Sequence, residues 1–182
     1  MKFKVIGAGL AGVEAAWQIA EAGYKVTLAE QKPAKMSPAH KSEYFAELVC
    51  SNSLKASRLD SAAGLLKEEM AMLGSLTVPV ARECAVPAGG ALAVDRDIFS
   101  KKVTDKIKNH PNIEIVYHEE ESIDTADDLI TVVATGPLTD GKMSEAIKAV
   151  CGDYLSFYDA AAPIVTAESV DFNIAFGASR YG

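Results

Sequence analysis

With 182 residues, 49% of them hydrophobic and 24% charged, the chain is long enough to bury one sizeable core and falls outside the disordered and low-complexity classes. A net charge of −7 weighs against a nucleic-acid binder, because phosphate contacts need Lys and Arg. The distribution is less adverse, since residues 1–67 carry nine basic and six acidic side chains and the acidic excess lies downstream.

No run approaches the roughly 18 consecutive apolar residues of a membrane helix. The opening "MKFKVIGAG" also lacks the basic, apolar and small-residue order of a signal peptide. The expected setting is cytoplasmic, with no membrane partner. Cys50, Cys84 and Cys151 are odd in number, widely spaced and free of any CxxC, which predicts reduced thiols rather than a disulfide framework or a zinc site. His40, His110 and His118 show no ligand spacing, so no metal is expected.

The first element is a short apolar strand, "KFKVI", running directly into "GAGLAG". The helix after it places Val13, Ala16, Trp17 and Ala20 on one face and stops at Gly23. A second strand, "KVTLAE", ends at Glu30 and completes a βαβ opening. Residues 61–73 set Ala62, Leu65, Leu66, Met70 and Leu73 at helical spacing. Residues 95–108 open with Asp95 as a helix cap and bury Phe99, Val103 and Ile107. "IEIVYH" and "LITVVATG" are β-branched strands, the second ending at a glycine. The alternation predicts an α/β fold, a mostly parallel sheet with helices packed on it.

In Gly7-Ala8-Gly9-Leu10-Ala11-Gly12 the first glycine permits the tight turn, the second lets a pyrophosphate approach the backbone, and the third allows close helix–strand packing. The helix start then offers free N–H groups and a positive dipole end to an anion. Alone such a motif is weak, but this one follows a strand, opens a helix and is followed by Glu30, placed to accept hydrogen bonds from a ribose. An acidic residue there suits FAD or NAD better than NADP. The strand end "VVATG", with Thr135 and Gly136, tips the choice toward FAD, although an ordinary strand and turn would explain it equally well in isolation.

"ELVCSNSL" raises the question of what Cys50 does. On residue type alone, a single cysteine in this setting reads as packing more readily than as a nucleophile. Lys55 and Arg58 are candidate phosphate contacts, with a solvated surface as the equal alternative. Asp95 and Arg96 read equally as a cap with its loop anchor or as substrate contacts.

The stretches "VIGAGLAGVEAAWQIAEAG", "MSPAHKSEYFAELVCSNSLKA", "AAGLLKEEMAMLGSL", "VPAGGALAVDRDIF", "VVATGPLT" and "DAAAPIV" resemble the folate- and FAD-dependent tRNA uracil-5 methyltransferases, formerly the small form of the glucose-inhibited division protein A family. The resemblance implies methylation of carbon five of the T-loop uridine in tRNA. Methylenetetrahydrofolate would donate the carbon, reduced FAD would carry it and supply electrons, and NADH or NADPH would reduce the flavin. It gives Cys50 a catalytic role, because uracil carbon five becomes nucleophilic once a thiolate adds to carbon six, and that thiolate needs nearby N–H groups or cations. Ser51, Asn52 and Ser53 would then shape a pocket for a flipped base, while Cys84 and Cys151 keep the packing reading. The implied partner is tRNA, not DNA.

Members of that family are more than twice this length, and the resemblance implies a second working cysteine downstream of Gly182, sharing the nucleophile and base roles. The chain therefore reads as the amino-terminal part, residues 1–182, of a Rossmann-like FAD-binding domain. It is truncated, without the inserted and carboxyl-terminal parts, and is expected to leave a sheet edge and apolar helix faces uncovered. As such it should bind FAD weakly or not at all and be inactive alone. A generic FAD- or NAD-dependent oxidoreductase and a noncatalytic fragment are the alternatives.

Overall fold

The computed structural model describes residues 1–152 and 167–176; "DAAAPIV" lies outside them. The first βαβ unit forms as its pattern dictates, with β1 at Lys2–Ile6, α1 at Leu10–Glu21 and β2 at Val26–Glu30. β6 (Ile113–Tyr117) and β7 (Leu129–Val133) complete a four-stranded sheet of order β6-β2-β1-β7, in which every pairing is parallel. Val5 stands between Leu28 and Val132, and Leu28 pairs onward with Ile115, so the apolar centre of each strand falls in one layer.

α1 packs Val13, Ala16 and Ala20 against this sheet, with Trp17 half-buried beside His110. α4 (Arg96–Lys108) buries Phe99, Val103 and Ile107 in the same core. Asp95 caps it, its carboxylate accepting from the N–H groups of Asp97 and Ile98, both at 3.1 Å.

A second layer was not foreseen in the sequence. β3 (Ser53–Ala56), β4 (Ala85–Val86) and β5 (Ala91–Val94) form a small antiparallel sheet of order β3-β5-β4. The strands have two to four residues, too short for a period to show. Between β3 and β4 lie α2 (Ala62–Met72) and the seven-residue α3 (Thr77–Glu83). α5 (Gly141–Cys151) and a 3₁₀ turn at Ala167–Ser169 follow the sheet.

α2 forms over the expected residues, yet its apolar side is not buried: Leu66 is 56% and Leu73 78% exposed, and Gly64 is its one fully buried residue. Cys84 is buried as read, and burial raises its thiol pKa. Cys151 departs from its packing reading and is exposed, because it closes the last turn of α5 on the solvent side.

Candidate functional site

The carboxyl ends of β1, β2 and β7 open onto a groove of about 510 Å³. Gly7, Ala8, Gly9, Leu10, Ala11, Glu30, Cys50, Ser51, Ser53, Thr135 and Gly136 all line it. The structure thus brings together the glycine turn, the acidic strand end, the "ATG" strand end and the cysteine, from four separate parts of the chain.

The glycines divide their work. Gly7 has φ +96°, and a Cβ there would meet the Ala134 carbonyl oxygen at 2.7 Å. A Cβ on Gly12 would stand 1.7 Å from the Gly7 carbonyl oxygen, so this residue lets α1 lie against the turn and is itself buried outside the groove lining. Around Gly9 nothing comes within 4 Å of the Cβ position. Its open side is the place where a ligand can approach the backbone.

Glu30 is 6% exposed and fixes the turn: its carboxylate accepts from Ala8 N at 2.7 Å and from Lys32 N at 2.9 Å. Ala8 is held from its other side too, since its carbonyl accepts from Ala46 N at 2.9 Å. That bond anchors the long β2–β3 connection to the glycine turn. Phe45, fully buried, donates its N–H to Thr104 Oγ1 of α4 at 2.8 Å. Four residues after Ala46 the chain reaches Cys50, which is exposed on the groove wall rather than packed in hydrocarbon.

The same connection is organised by a buried cation. Lys32 is 4% exposed, donates to the Ser42 and Tyr44 carbonyls, and pairs with Glu47 at 3.8 Å. Burial lowers its pKa, partly offset by Glu30 and Glu47. Glu47 also accepts from Lys41 N at 2.9 Å and Ser42 N at 3.2 Å.

On the opposite wall, the Thr139 hydroxyl lies 2.6 Å from Thr135 Oγ1 and 2.7 Å from the Gly136 carbonyl, closing the turn after β7. Glu120, another lining residue, bonds Lys4 and His118. Burial pushes its carboxyl up, and those two hydrogen bonds more than reverse the effect, leaving it below the ordinary value.

Some candidates stand elsewhere. Asn52 does not line the groove: its amide donates to the Val94 carbonyl at 3.2 Å and its own carbonyl accepts from Val94 N, so it pins β5. Lys55, at φ +67°, lines a second, apolar groove of about 750 Å³ between α1 and α2. Arg58 pairs with Asp60, and Arg96 is exposed at the start of α4. His40, His118 and Asp140 line the first groove although no motif marked them. For His40 a signal existed, since it lies inside the quoted stretch "MSPAHKSEYFAELVCSNSLKA".

Residues 2–182 match the family described as glucose inhibited division protein A. Among curated proteins, the chain is 56% identical to the methylenetetrahydrofolate–tRNA-(uracil-5-)-methyltransferase TrmFO of Sulfurihydrogenibium sp. (strain YO3AOP1), covering 100% of this chain and 41% of that protein. The protein of the same name from Acetivibrio thermocellus is 59% identical, over 98% of this chain and 41% of its own length. The chain thus spans about two-fifths of the length of these relatives. Among solved structures, Aquifex aeolicus GidA superposes with a TM-score of 0.59 at 18% identity, over 75% of this chain and 25% of that one. The p-nitrophenol 4-monooxygenase PnpA of Pseudomonas putida DLL-E4 gives 0.55 at 15%, over 83% and 43%. At such identities these two show a shared fold, the Rossmann-like α/β arrangement described above. The chain belongs to the glucose inhibited division protein A family.

Proposed function

We propose that this chain is the FAD-binding, cysteine-bearing part of a folate- and flavin-dependent tRNA uracil-5 methyltransferase. The observation that carries the reading is that Cys50 is exposed on the wall of the groove that also holds the glycine turn and Glu30. The names of its relatives, at 56% and 59% identity, support the same activity.

Gly7, Ala8, Gly9, Leu10 and Ala11 would hold the diphosphate through the backbone, Glu30 a ribose, and Thr135 and Gly136 the opposite wall, with Gly12 keeping α1 in place. The open side of Gly9 fits such a group. Bound there, FAD supplies electrons and carriage for the carbon of methylenetetrahydrofolate, with NADH or NADPH as reductant. Cys50 Sγ adds to carbon six of the uracil, and the displaced double-bond electrons move onto the ring oxygen. Carbon five is then nucleophilic and bonds to the methylene carbon; that carbon's bond to its carrier breaks as carbon five loses its proton, a hydride that the reduced flavin would supply brings the methylene to methyl, and departure of the Cys50 sulfur restores the ring. Ser51 and Ser53 leave room beside the sulfur for the base. The uridine is that of the T-loop, and the setting is the cytoplasm, where tRNA is modified. Residues 1–182 form the amino-terminal part of the FAD domain, and the inserted and carboxyl-terminal parts lie outside this sequence.

The test is a chimera in which these 182 residues replace the matching part of the Acetivibrio thermocellus relative. With tRNA carrying fluorouracil in the T-loop it should form a covalent adduct that is absent in the Cys50→Ala chimera. An adduct that survives Cys50→Ala removes this residue from the nucleophile role.

A further inference from the structure

The groove has an unusual charge balance for a site that receives a diphosphate. Five carboxylates line it, those of Glu30, Glu47, Glu119, Glu120 and Asp140, and among the described lining residues there is no Lys or Arg. Each carboxylate is already engaged. Glu30 takes the N–H groups of Ala8 and Lys32, and Glu47 those of Lys41 and Ser42. Lys35 serves Glu119 and Asp140, while Lys4 and His118 share Glu120. An entering diphosphate therefore meets the neutral N–H groups at the start of α1, and the nearby cations are committed elsewhere.

His40 is the lining base left over. Its Nδ1 sits 2.6 Å from Ser37 Oγ, which also accepts from Ala39 N at 3.3 Å, so the ring is held in one orientation. Its Nε2 has no partner among the described residues. The charged groups that act on the ring are Lys32, Glu47 and Glu30.

We infer that His40 is the diphosphate-responsive residue of the groove, taking up a proton when a dinucleotide binds and donating a charge-assisted hydrogen bond or a positive charge toward the anion. The inference rests on the cofactor reading above and adds to it a named residue and a proton. Without ligand, burial first and the Lys32 charge second hold the imidazole below its ordinary value, against the pull of Glu47 and Glu30, so the ring is neutral near pH 7. Two negative charges brought into the groove beside the ring favour its protonated form. By linkage, the ligand that raises the proton affinity of His40 must bind more tightly as the pH falls.

ADP-ribose and FAD are suitable probes, because their diphosphate diesters do not titrate near neutrality. With three histidines in the chain, imidazole proton resonances can be followed by NMR on the full 182 residues. Saturating ADP-ribose should raise the His40 midpoint by about half a pH unit or more. In parallel, affinity should rise about threefold or more from about pH 8 to about pH 6, and His40→Gln should bind with a flat profile. A His40 midpoint that stays put while the amides of Gly7 and Gly9 shift with ligand overturns the inference and leaves the cofactor reading standing. Failure of both probes to bind, in the 182 residues and in the chimera with the Acetivibrio thermocellus relative alike, overturns both.

Discussion

The two glycines at the ends of the α1 turn make opposite predictions from one motif. Gly12→Ala would force a Cβ to within 1.7 Å of the Gly7 carbonyl oxygen, a backbone atom of the tight turn that has no way to yield. It should cost about 3 kcal/mol in a urea melt. Gly9→Ala meets nothing within 4 Å, so its melt should be unchanged while ADP-ribose binding falls. The thiols separate just as cleanly. In native protein a thiol-specific reagent should react rapidly at Cys50 and Cys151 and reach the buried Cys84 after denaturation, and Cys50→Ala should remove one of the two fast equivalents. The glycine turn was readable in the sequence because backbone geometry restricts what those positions accept, and Glu30 as the acidic end of β2, whereas the bonds of its carboxylate to Ala8 N and Lys32 N were not. Asn52 and Cys151 were not, since the partner of one and the solvent face of the other come from residues far along the chain or from the helix's position.

Helix boundaries followed local chemistry where a cap was present. Asp95→Ala should cost about 1 kcal/mol and Asp95→Asn very little, measured by denaturant midpoint, because either Asp or Asn can accept from the first-turn N–H groups. α3 is capped differently, by a carboxylate from another helix. Glu14 of α1 accepts from Leu76 N at 3.0 Å, Thr77 N at 3.1 Å and the Thr77 hydroxyl at 2.8 Å. Burial pushes this carboxyl up, but the bonds to Thr77, Gln18 and Leu76 prevail and leave it below 4.5. A carboxyl whose folded-state pKa is lowered adds stability above its unfolded value and loses it as the pH falls through the folded one. From about pH 7 to about pH 3 the parent should therefore lose more stability than Glu14→Gln, which already lacks the charged cap. Ser75, whose hydroxyl accepts from Val78 N at 3.2 Å, is a local signal for this start, but nothing within residues 75–83 announces the Glu14 carboxylate, and seven residues are too few for a helical period to show.

The assembled fold leaves the apolar side of α2 facing solvent, with Leu65, Leu66, Met72 and Leu73 all exposed. Leu66→Lys should leave the unfolding free energy within about 0.5 kcal/mol of the parent while reducing binding of a hydrophobic dye, since an exposed apolar patch attracts one. The helical spacing of these residues was real, but spacing says that a helix has an apolar face and not that this chain covers it. The β2–β3 connection shows the same limit from the other direction. Its sequence has no regular period, and Cys50 reaches the groove because Ala46 bonds Ala8, Phe45 bonds Thr104 and Lys32 gathers the carbonyls of residues 42 and 44. The linear order of residues determined the βαβ opening, the glycine turn, the acidic strand end and the α4 cap, because each depends on neighbours within a few positions. Tertiary contact alone decided which of the three thiols faces the groove, which carboxylate caps α3 and which histidine keeps a free nitrogen there, because each depends on atoms that meet only when distant segments are packed together.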